Sequence, residues 1–503
     1  MSDGKPVHNV SIFLCLRGGH QRRGQLNHRR SSKHMPRSQR CNPIWSHVRY
    51  PAALALFLFL ICLPAAAQIR RAPEKEFSRF RLDNGLEVIV VQNNFVPIVT
   101  IELAVRNGSF TEGPEFAGLS HLYEHMFFKA NGEYETSQDF ISALSSLGAL
   151  YNATTREEVV YYYFTLPVAN LDKGLEIMAN SVQTPRFDPV ELEREREVVL
   201  GEFDRHESNP FFPFSRAMDS VMWKENVVRK QPIGQRNVIK TATPEKMRAI
   251  QEKYYIPNNS LLIVAGDVDS ASVHQMVEEH FSSWERQPDP FKNNPPPMPK
   301  PLEKKELVTV TVPGVDIAQV QYEWHGPSIG IDNASTYAAD VFIFILTQPQ
   351  SRFQRRLVES GIAQGAGFNY YTQRYVGPIS AQVVTTPTQT RKALDALWEE
   401  IQAFDSPDYF TDEELATAKQ ILRMQALYES EETSDWVHTP AFWWSTTGLD
   451  YYMGYIDNLA KVTRQDIQNY VRKYIKGKNY VLGVATNPQT LQQLNLKPSE
   501  VLR

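Results

Sequence analysis

Apolar and polar side chains alternate through VPIVTIELAVRNG (96–108), which follows FRLDNGLEVIVVQ (80–92), a stretch that carries an Asp-Asn-Gly turn. A period of two is that of strands with one buried face. The theme returns in ELVTVTVPGV (306–315) and IAQVQYEWHG (317–326). After each strand pair the apolar spacing lengthens to about 3.6, as in LDKGLEIMANSVQ (171–183) and ASTYAADVFIFILTQ (334–348). An acid-rich stretch, PVELEREREVVLGEFDRHE (189–207), also reads as helix. Strand pairs followed by helices predict α+β domains rather than a doubly wound sheet. No Gly-rich phosphate loop and no Gly-x-Ser-x-Gly elbow interrupts the pattern.

The pattern also repeats. NNPPPMPKPLEKK (293–305) can form neither helix interior nor central strand, and it reads as a stiff linker. Before it lies TPEKMRAIQEKYYIPNNSLLIVAGDV (243–268), and near the end lies TRQDIQNYVRKYIKGKNYVLGVATN (463–487). In each, a Thr cap opens an amphipathic helix ending in Lys-Tyr, and a turn and an apolar strand follow. Thr243 aligns with Thr463, and Lys253–Tyr254 with Lys473–Tyr474, without a gap. The expected architecture is therefore two homologous α+β domains, each a mostly antiparallel sheet packed with helices. Their expected bounds are 68–290 and 306–503, joined by a linker over 291–305.

Composition changes the picture at the N-terminus. The first 67 residues hold ten basic side chains and one acid, followed by the apolar run AALALFLFLICLPAAAQ (52–68). So short a run, ending in small residues, predicts an export signal over 1–67 cleaved after Ala67, with an uncleaved anchor as the alternative. The periplasm is the expected destination, with no membrane span after cleavage. The basic region is long for a signal, and Met35 is an alternative start. Cys15, Cys41 and Cys62 all lie in this leader, so the remainder has no disulfide, cysteine nucleophile or cysteine metal site. Without the leader, the formal charge of −4 becomes −13. No basic face remains for phosphates, which argues against a nucleic-acid partner and favours cationic peptides.

Candidate chemistry is concentrated in GLSHLYEHMFFKANG (118–132), a helix-compatible stretch with Gly118 at its start and Gly132 at its end. On a helix His121 and His125 share a face one turn apart, a spacing that suits tetrahedral zinc. Glu124 sits where it can reach a metal-activated water without being a ligand. The alternative is an amphipathic helix whose polar residues face solvent. Only seven histidines follow the leader, and two stand in this motif. A catalytic zinc needs a third protein ligand. In the acid-rich helix, Glu195, Val199 and Glu202 form one stripe and are the candidates to face the metal.

These segments resemble the inverzincin zinc peptidases of the pitrilysin and insulin-degrading-enzyme type. The chain is most similar to the short branch that includes the mitochondrial processing peptidase β-subunit and its bacterial relatives. GLSHLYEHMFFKAN, LYNATTREEVVYYYFTLP (150–167), FDPVELEREREVVLGE (187–202) and the 232–268 segment match the family's blocks in order. The resemblance implies one zinc per chain held by His121, His125 and Glu202, with Glu124 as catalytic base. The 76 residues between His125 and Glu202 fit the family's spacing. It further implies Glu195 as a supporting acid behind the ligands. Asn152 and Ala153 fall on the strand that receives the substrate backbone. The implied activity is endoproteolysis of peptides or unfolded polypeptides.

One departure stands out. The family's second half supplies an Arg and a Tyr, seven apart, to the scissile carbonyl. In RRLVESGIAQGAGF (355–368) those positions hold Leu357 and Gln364. A one-residue shift offers Arg356 but no tyrosine; Tyr370, Tyr371 and Arg374 are the nearby substitutes. The expectation is a heterodimer in which a homologous subunit brings the Arg/Tyr pair. A weakly active homodimer is the alternative, as is a non-catalytic structural or peptide-binding subunit of a complex.

Overall fold

The computed structural model describes residues 76–429 and 436–503. The leader expectations, 1–67 with its cleavage site and Met35, lie outside the described residues. No helix among the described residues is long and apolar enough to cross a membrane.

The fold is α+β, built on two sheets. The first comprises β1 (Glu76–Arg81), β2 (Glu87–Gln92), β3 (Ile98–Val105), β4 (Leu150–Thr155), β5 (Val160–Pro167) and β6 (Ser260–Gly266), in the order β1-β2-β6-β3-β5-β4. The second comprises β7 (Glu306–Thr311), β8 (Ala318–His325), β9 (Gly365–Tyr370), β10 (Pro378–Thr385) and β11 (Val481–Thr486), in the order β7-β11-β8-β10-β9. Apart from β1, the sheets are wired alike. Each has one parallel pair, β2 with β6 and β7 with β11, and is otherwise antiparallel. Each ends on a free hairpin strand, β4 or β9.

The helices that organise these sheets are α1 (Leu119–Phe127), α2 (Leu171–Gln183), α3 (Pro189–Glu207), α4 (Phe212–Trp223), α5 (Pro244–Tyr254), α6 (Asn333–Leu346), α7 (Thr390–Ala403), α8 (His438–Thr446) and α9 (Arg464–Tyr474). The duplicated Thr-capped segments become α5 and α9. The Thr243 side chain accepts from the Lys246 amide, and Thr463 forms a capping box with Asp466. Each helix leads into the fully buried central strand of its half, β6 or β11.

On the first sheet, Val88, Val90, Val99, Ile101, Leu103 and Val264 face α1, α2 and α5 in one core. The opposite face, with Ile89, Val91, Ala104, Leu261 and Ile263, joins the core of the second half, where Ala441, Trp443 and Trp444 of α8 cover it. The exchange is reciprocal. Phe214, Met218, Met222 and Trp223 of α4 pack on Val308, Val312, Val481 and Ala485 of the second sheet. Gly483 permits that approach, because a Cβ there would lie 2.5 Å from Met218 Sδ and 2.6 Å from the Phe214 ring.

Buried polar contacts fix the two halves together. Glu158 accepts from the amides of Arg374 (2.8 Å) and Tyr375 (3.0 Å). The Lys230 ammonium donates to the carbonyls of Tyr375 (2.6 Å) and Val376 (2.7 Å), so two opposite charges grip one loop. On the far side of the seam, His438 of α8 pairs with fully buried Glu102 of β3, and Arg106 stacks 3.7 Å over Trp444.

Candidate metal centre

The side chains of α1 divide by face. Leu119, Leu122, Tyr123, Met126 and Phe127 are buried, while His121, Glu124 and His125 reach the open side. Aromatic stacking fixes the buried face: Phe127 lies 3.7 Å from Tyr162 between ring centroids, and Tyr123 lies 4.0 Å from Tyr255. The helix stops at Phe127, well before Gly132, where the sequence let it continue. Past its end Glu191 of α3 takes the Ala130 amide (3.2 Å) and Phe128 turns toward Tyr151, which gives the chain a reason to leave the helix.

Helix α3 opens at Asp188, whose carboxylate accepts from the amides of Val190 and Glu191. Leu192, Val199, Leu200 and Phe203 bury its inner face, and Glu195 and Glu202 project beside α1. Of the expected stripe, Val199 belongs to the core and the two acids to the site.

Two imidazoles and a carboxylate converge here. Ligand atoms of His121, His125 and Glu202 all lie within 4.8 Å of one another, the one such group among the described residues. His121 Nε2 is 3.4 Å from Glu202 Oε2, and His125 Nε2 is 4.0 Å from Oε1. Tetrahedral zinc with bonds of about 2.1 Å sets ligand atoms about 3.4 Å apart. The first distance already matches that edge, and the second needs only a small closure. His121 is neutral, as a ligand must be, because burial and the neighbouring His125 and His206 push it down to about 3. The residues present therefore fit a zinc ion.

Around this triad the acids do different work. Glu195 bridges His125 Nδ1 (3.1 Å) and the Lys129 ammonium (2.7 Å). Burial would raise Glu195, but those two hydrogen bonds outweigh it and hold the group below its ordinary value. Burial would lower His125; the hydrogen bond to Glu195 and the charges of Glu124 and Glu202 hold it above the usual imidazole range. Glu124 is pushed up to about 7 by burial, against the pull of a 2.5 Å hydrogen bond donated by the Thr155 hydroxyl. Thr155 stands on β4, the edge strand, and so ties that edge to α1. Asn152 on the same strand is exposed, and Ala153 is buried, 8 % accessible. Sequence reasoning missed Thr155 and Lys129. Thr155 was visible only as part of the Asn-Ala-Thr-Thr strand, and Lys129 carried no signal beyond following the motif.

The second half holds Leu357 and Gln364 where the resemblance implies an Arg/Tyr pair. Leu357 is fully buried, and Gln364 is exposed with its amide bonded to Val384 O. Arg356 is paired with Glu399 of α7 at 2.9 Å. The hydroxyls of Tyr370 and Tyr371 donate to Pro327 O (3.0 Å) and Glu157 (2.9 Å), and the Arg374 side chain is exposed.

Comparison with known proteins places these features in context. The family model described as "Insulinase (Peptidase family M16)" matches residues 87–234, and the model described as "Peptidase M16 inactive domain" matches 241–422. A Rickettsia felis protein named as an uncharacterized zinc protease is 30% identical over 210 residues, 42% of this chain and 51% of that one. A probable zinc protease PqqL of Haemophilus influenzae is 26% identical over 405 residues, covering 75% of this chain and 42% of that one. The chain thus spans about half the length of the curated relatives it matches. A Helicobacter pylori protease structure superposes with a TM-score of 0.74 at 21% identity, over 82% of this chain and 99% of that one. The first half of the Escherichia coli periplasmic protease PqqL gives 0.71 at 19% identity, over 85% and 95% of the two chains. At those identities the structures speak to the fold, which they share with this chain.

Proposed function

From the premise that this chain belongs to peptidase family M16, the pitrilysin type, we propose that it is the zinc-bearing chain of an endopeptidase acting on peptides or unfolded polypeptides. The observation that carries this reading is the convergence of His121, His125 and Glu202 within 4.8 Å, with Glu124 beside them.

In this reading His121, His125 and Glu202 hold one zinc. Zinc held there supplies Lewis acidity toward the scissile carbonyl and makes water a usable nucleophile near neutral pH. Glu124 takes the proton of the attacking water and passes it to the leaving amide nitrogen. In the metal-free site burial raises its carboxyl, so it favours a proton more than an ordinary carboxylate does. Thr155 fixes which way the carboxylate faces. Glu195 fixes the His125 ring through Nδ1, and Lys129 keeps Glu195 ionised. The substrate adds to the outer edge of β4 along Asn152 and Ala153, which reads backbone rather than side chains. Export to the periplasm is the compartment this reading expects.

The burial of Leu357 and the engaged hydroxyls of Tyr370 and Tyr371 support a second element of the proposal. A homologous subunit with an Arg/Tyr pair completes the site in a heterodimer. The match of residues 241–422 to a model described as inactive favours the rival, a chain that binds peptides without cutting them. One experiment separates these readings. The chain is assayed for zinc content and peptide cleavage, alone and with a co-encoded homologue, with Glu124→Gln as control. The proposal expects cleavage with the partner, little without it, and none by Glu124→Gln, which still holds zinc. Zinc binding without cleavage in either setting would leave the non-catalytic reading.

A further inference from the structure

The helix that carries both histidines has no ordinary cap. Its N-cap is Gly118, at φ +92°, and no side chain of that residue is available to take the free amides of the first turn. The Ser120 amide of that turn, and the amide of Gly118 itself, are taken from outside the helix. Glu112, 3 % accessible, accepts from the Gly118 amide at 2.6 Å through Oε2 and from the Ser120 amide at 2.7 Å through Oε1. Both oxygens act as acceptors toward N–H groups, the geometry of an ionised carboxylate. A negative charge at this end also complements the helix dipole. The carboxylate itself is anchored by short turns on both sides, at Ser109–Thr111 and Pro114–Phe116. The guanidinium of Arg229 donates to Phe110 O at 2.5 Å within the same loop. The Ser120 hydroxyl reaches Asn107 Oδ1 at 3.3 Å and Gly108 O at 3.4 Å. These contacts join α1 to the end of β3, which terminates at Val105 in the middle of the sheet.

Ser120 precedes His121 directly, so the atom that Glu112 grips is one residue from the first imidazole. Gly118 leaves no slack at the other side. A Cβ there would lie 2.7 Å from Ile233 O and 2.9 Å from Gly234 Cα. The first turn of α1 is thus held between a carboxylate on one side and the 233–234 backbone on the other. Rotation of α1 about its axis would carry His121 and Glu124 away from Glu202, whose position is set independently by α3.

We infer that Glu112 is a positioning residue for the metal centre: it sets the rotation and height of α1, and through them the geometry at which His121 and His125 meet Glu202. This rests on the zinc reading above. It adds a claim about a residue that touches neither metal, substrate nor ligand side chain. Burial raises the Glu112 carboxyl to about 7 even against the two amides, which favour the ionised form.

The test is a metal-affinity measurement on the whole chain. Wild type, Glu112→Gln and Glu112→Asp are stripped and titrated with zinc in competition with a chromophoric chelator, with helix content and Tm recorded for each. A glutamine can accept from one of the two amides while its NH₂ opposes the other. Glu112→Gln is expected to bind zinc roughly tenfold or more weakly, the usual scale for residues that support ligands, with helix content retained. Glu112→Asp keeps the charge on a shorter arm and is expected to lie between. In peptide cleavage at saturating zinc, kcat should fall while KM holds, because the substrate strand is untouched. Zinc affinity and kcat within twofold of wild type in both variants would overturn the inference. If Glu112→Gln does not fold, Glu112→Asp decides by the same criterion. Failure of wild type itself to bind zinc would instead defeat the site assignment on which the inference rests.

Discussion

Replacing Glu195 by glutamine removes one charge from behind the centre without changing its shape. In the native arrangement Glu195 Oε2 lies 3.1 Å from His125 Nδ1 and Oε1 lies 2.7 Å from Lys129 Nζ. A hydrogen bond from an imidazole to a carboxylate contributes about 1.5–3 kcal/mol, which corresponds to roughly 10- to 100-fold in an equilibrium constant. Carboxylates behind a metal-bound histidine change metal affinity by about the same factor. A bare Coulomb estimate at 3 Å would be larger, but both side chains are 14–18% exposed and solvent screens them. Glu195→Gln should therefore bind zinc 10- to 100-fold more weakly at pH 7.5, while folding normally. The pH dependence gives a second readout. His125 must be unprotonated at Nε2 to take the metal, and its raised pKa lets protons compete as pH falls. Removing the Glu195 charge lowers that pKa, so the decline of zinc affinity on acidification should begin at a lower pH in the variant. Chelator competition at several pH values measures both effects. Affinity within twofold of wild type, with an unshifted pH profile, would refute the role given to Glu195.

Two further outcomes follow from the same structure. Thr155→Val removes the hydroxyl that orients Glu124 and should lower kcat about 5- to 10-fold with KM little changed, the scale of one side-chain hydrogen bond; steady-state peptide cleavage checks it. Gly483→Ala drives a methyl into Met218 and Phe214 and should cost about 1–3 kcal/mol, seen as a lower midpoint in urea, although Gly483 lies on the second sheet and the candidate metal centre in the first half.

The site was legible where it obeyed a local period. His121, Glu124 and His125 stand on one turn, and Glu195 and Glu202 are seven apart on a helix whose bounds follow from Asp188, Pro189 and its own acid-rich pattern. Strands β3, β7 and β8 were legible for the same reason, since alternation needs no knowledge of the partner strand. What stayed hidden depends on contacts that no local period announces. Thr155 meets Glu124 across 31 residues, and Glu191 meets Ala130 across 61. Glu112 sits in an aperiodic loop, TEGPEF, and its role depends on where the chain returns six and eight residues later. The helix extension toward Gly132 failed because tertiary contacts at Ala130 and Phe128 override a permissive local sequence.

The crossed helices have a consequence for how such a chain can diverge. Because α4 completes the apolar face of the second sheet and α8 that of the first, each half is a folding requirement of the other. That dependence is carried by Phe214, Met218, Trp443 and Trp444, none of which touches the metal side chains. Chemical labour and structural labour are thus held by different residues. The second half, whatever its own chemistry, cannot be discarded, because its helix α8 covers the first sheet. A gene truncated at the proline-rich linker would encode a sheet with one face exposed to water, and selection would remove it for misfolding before any question of activity arose.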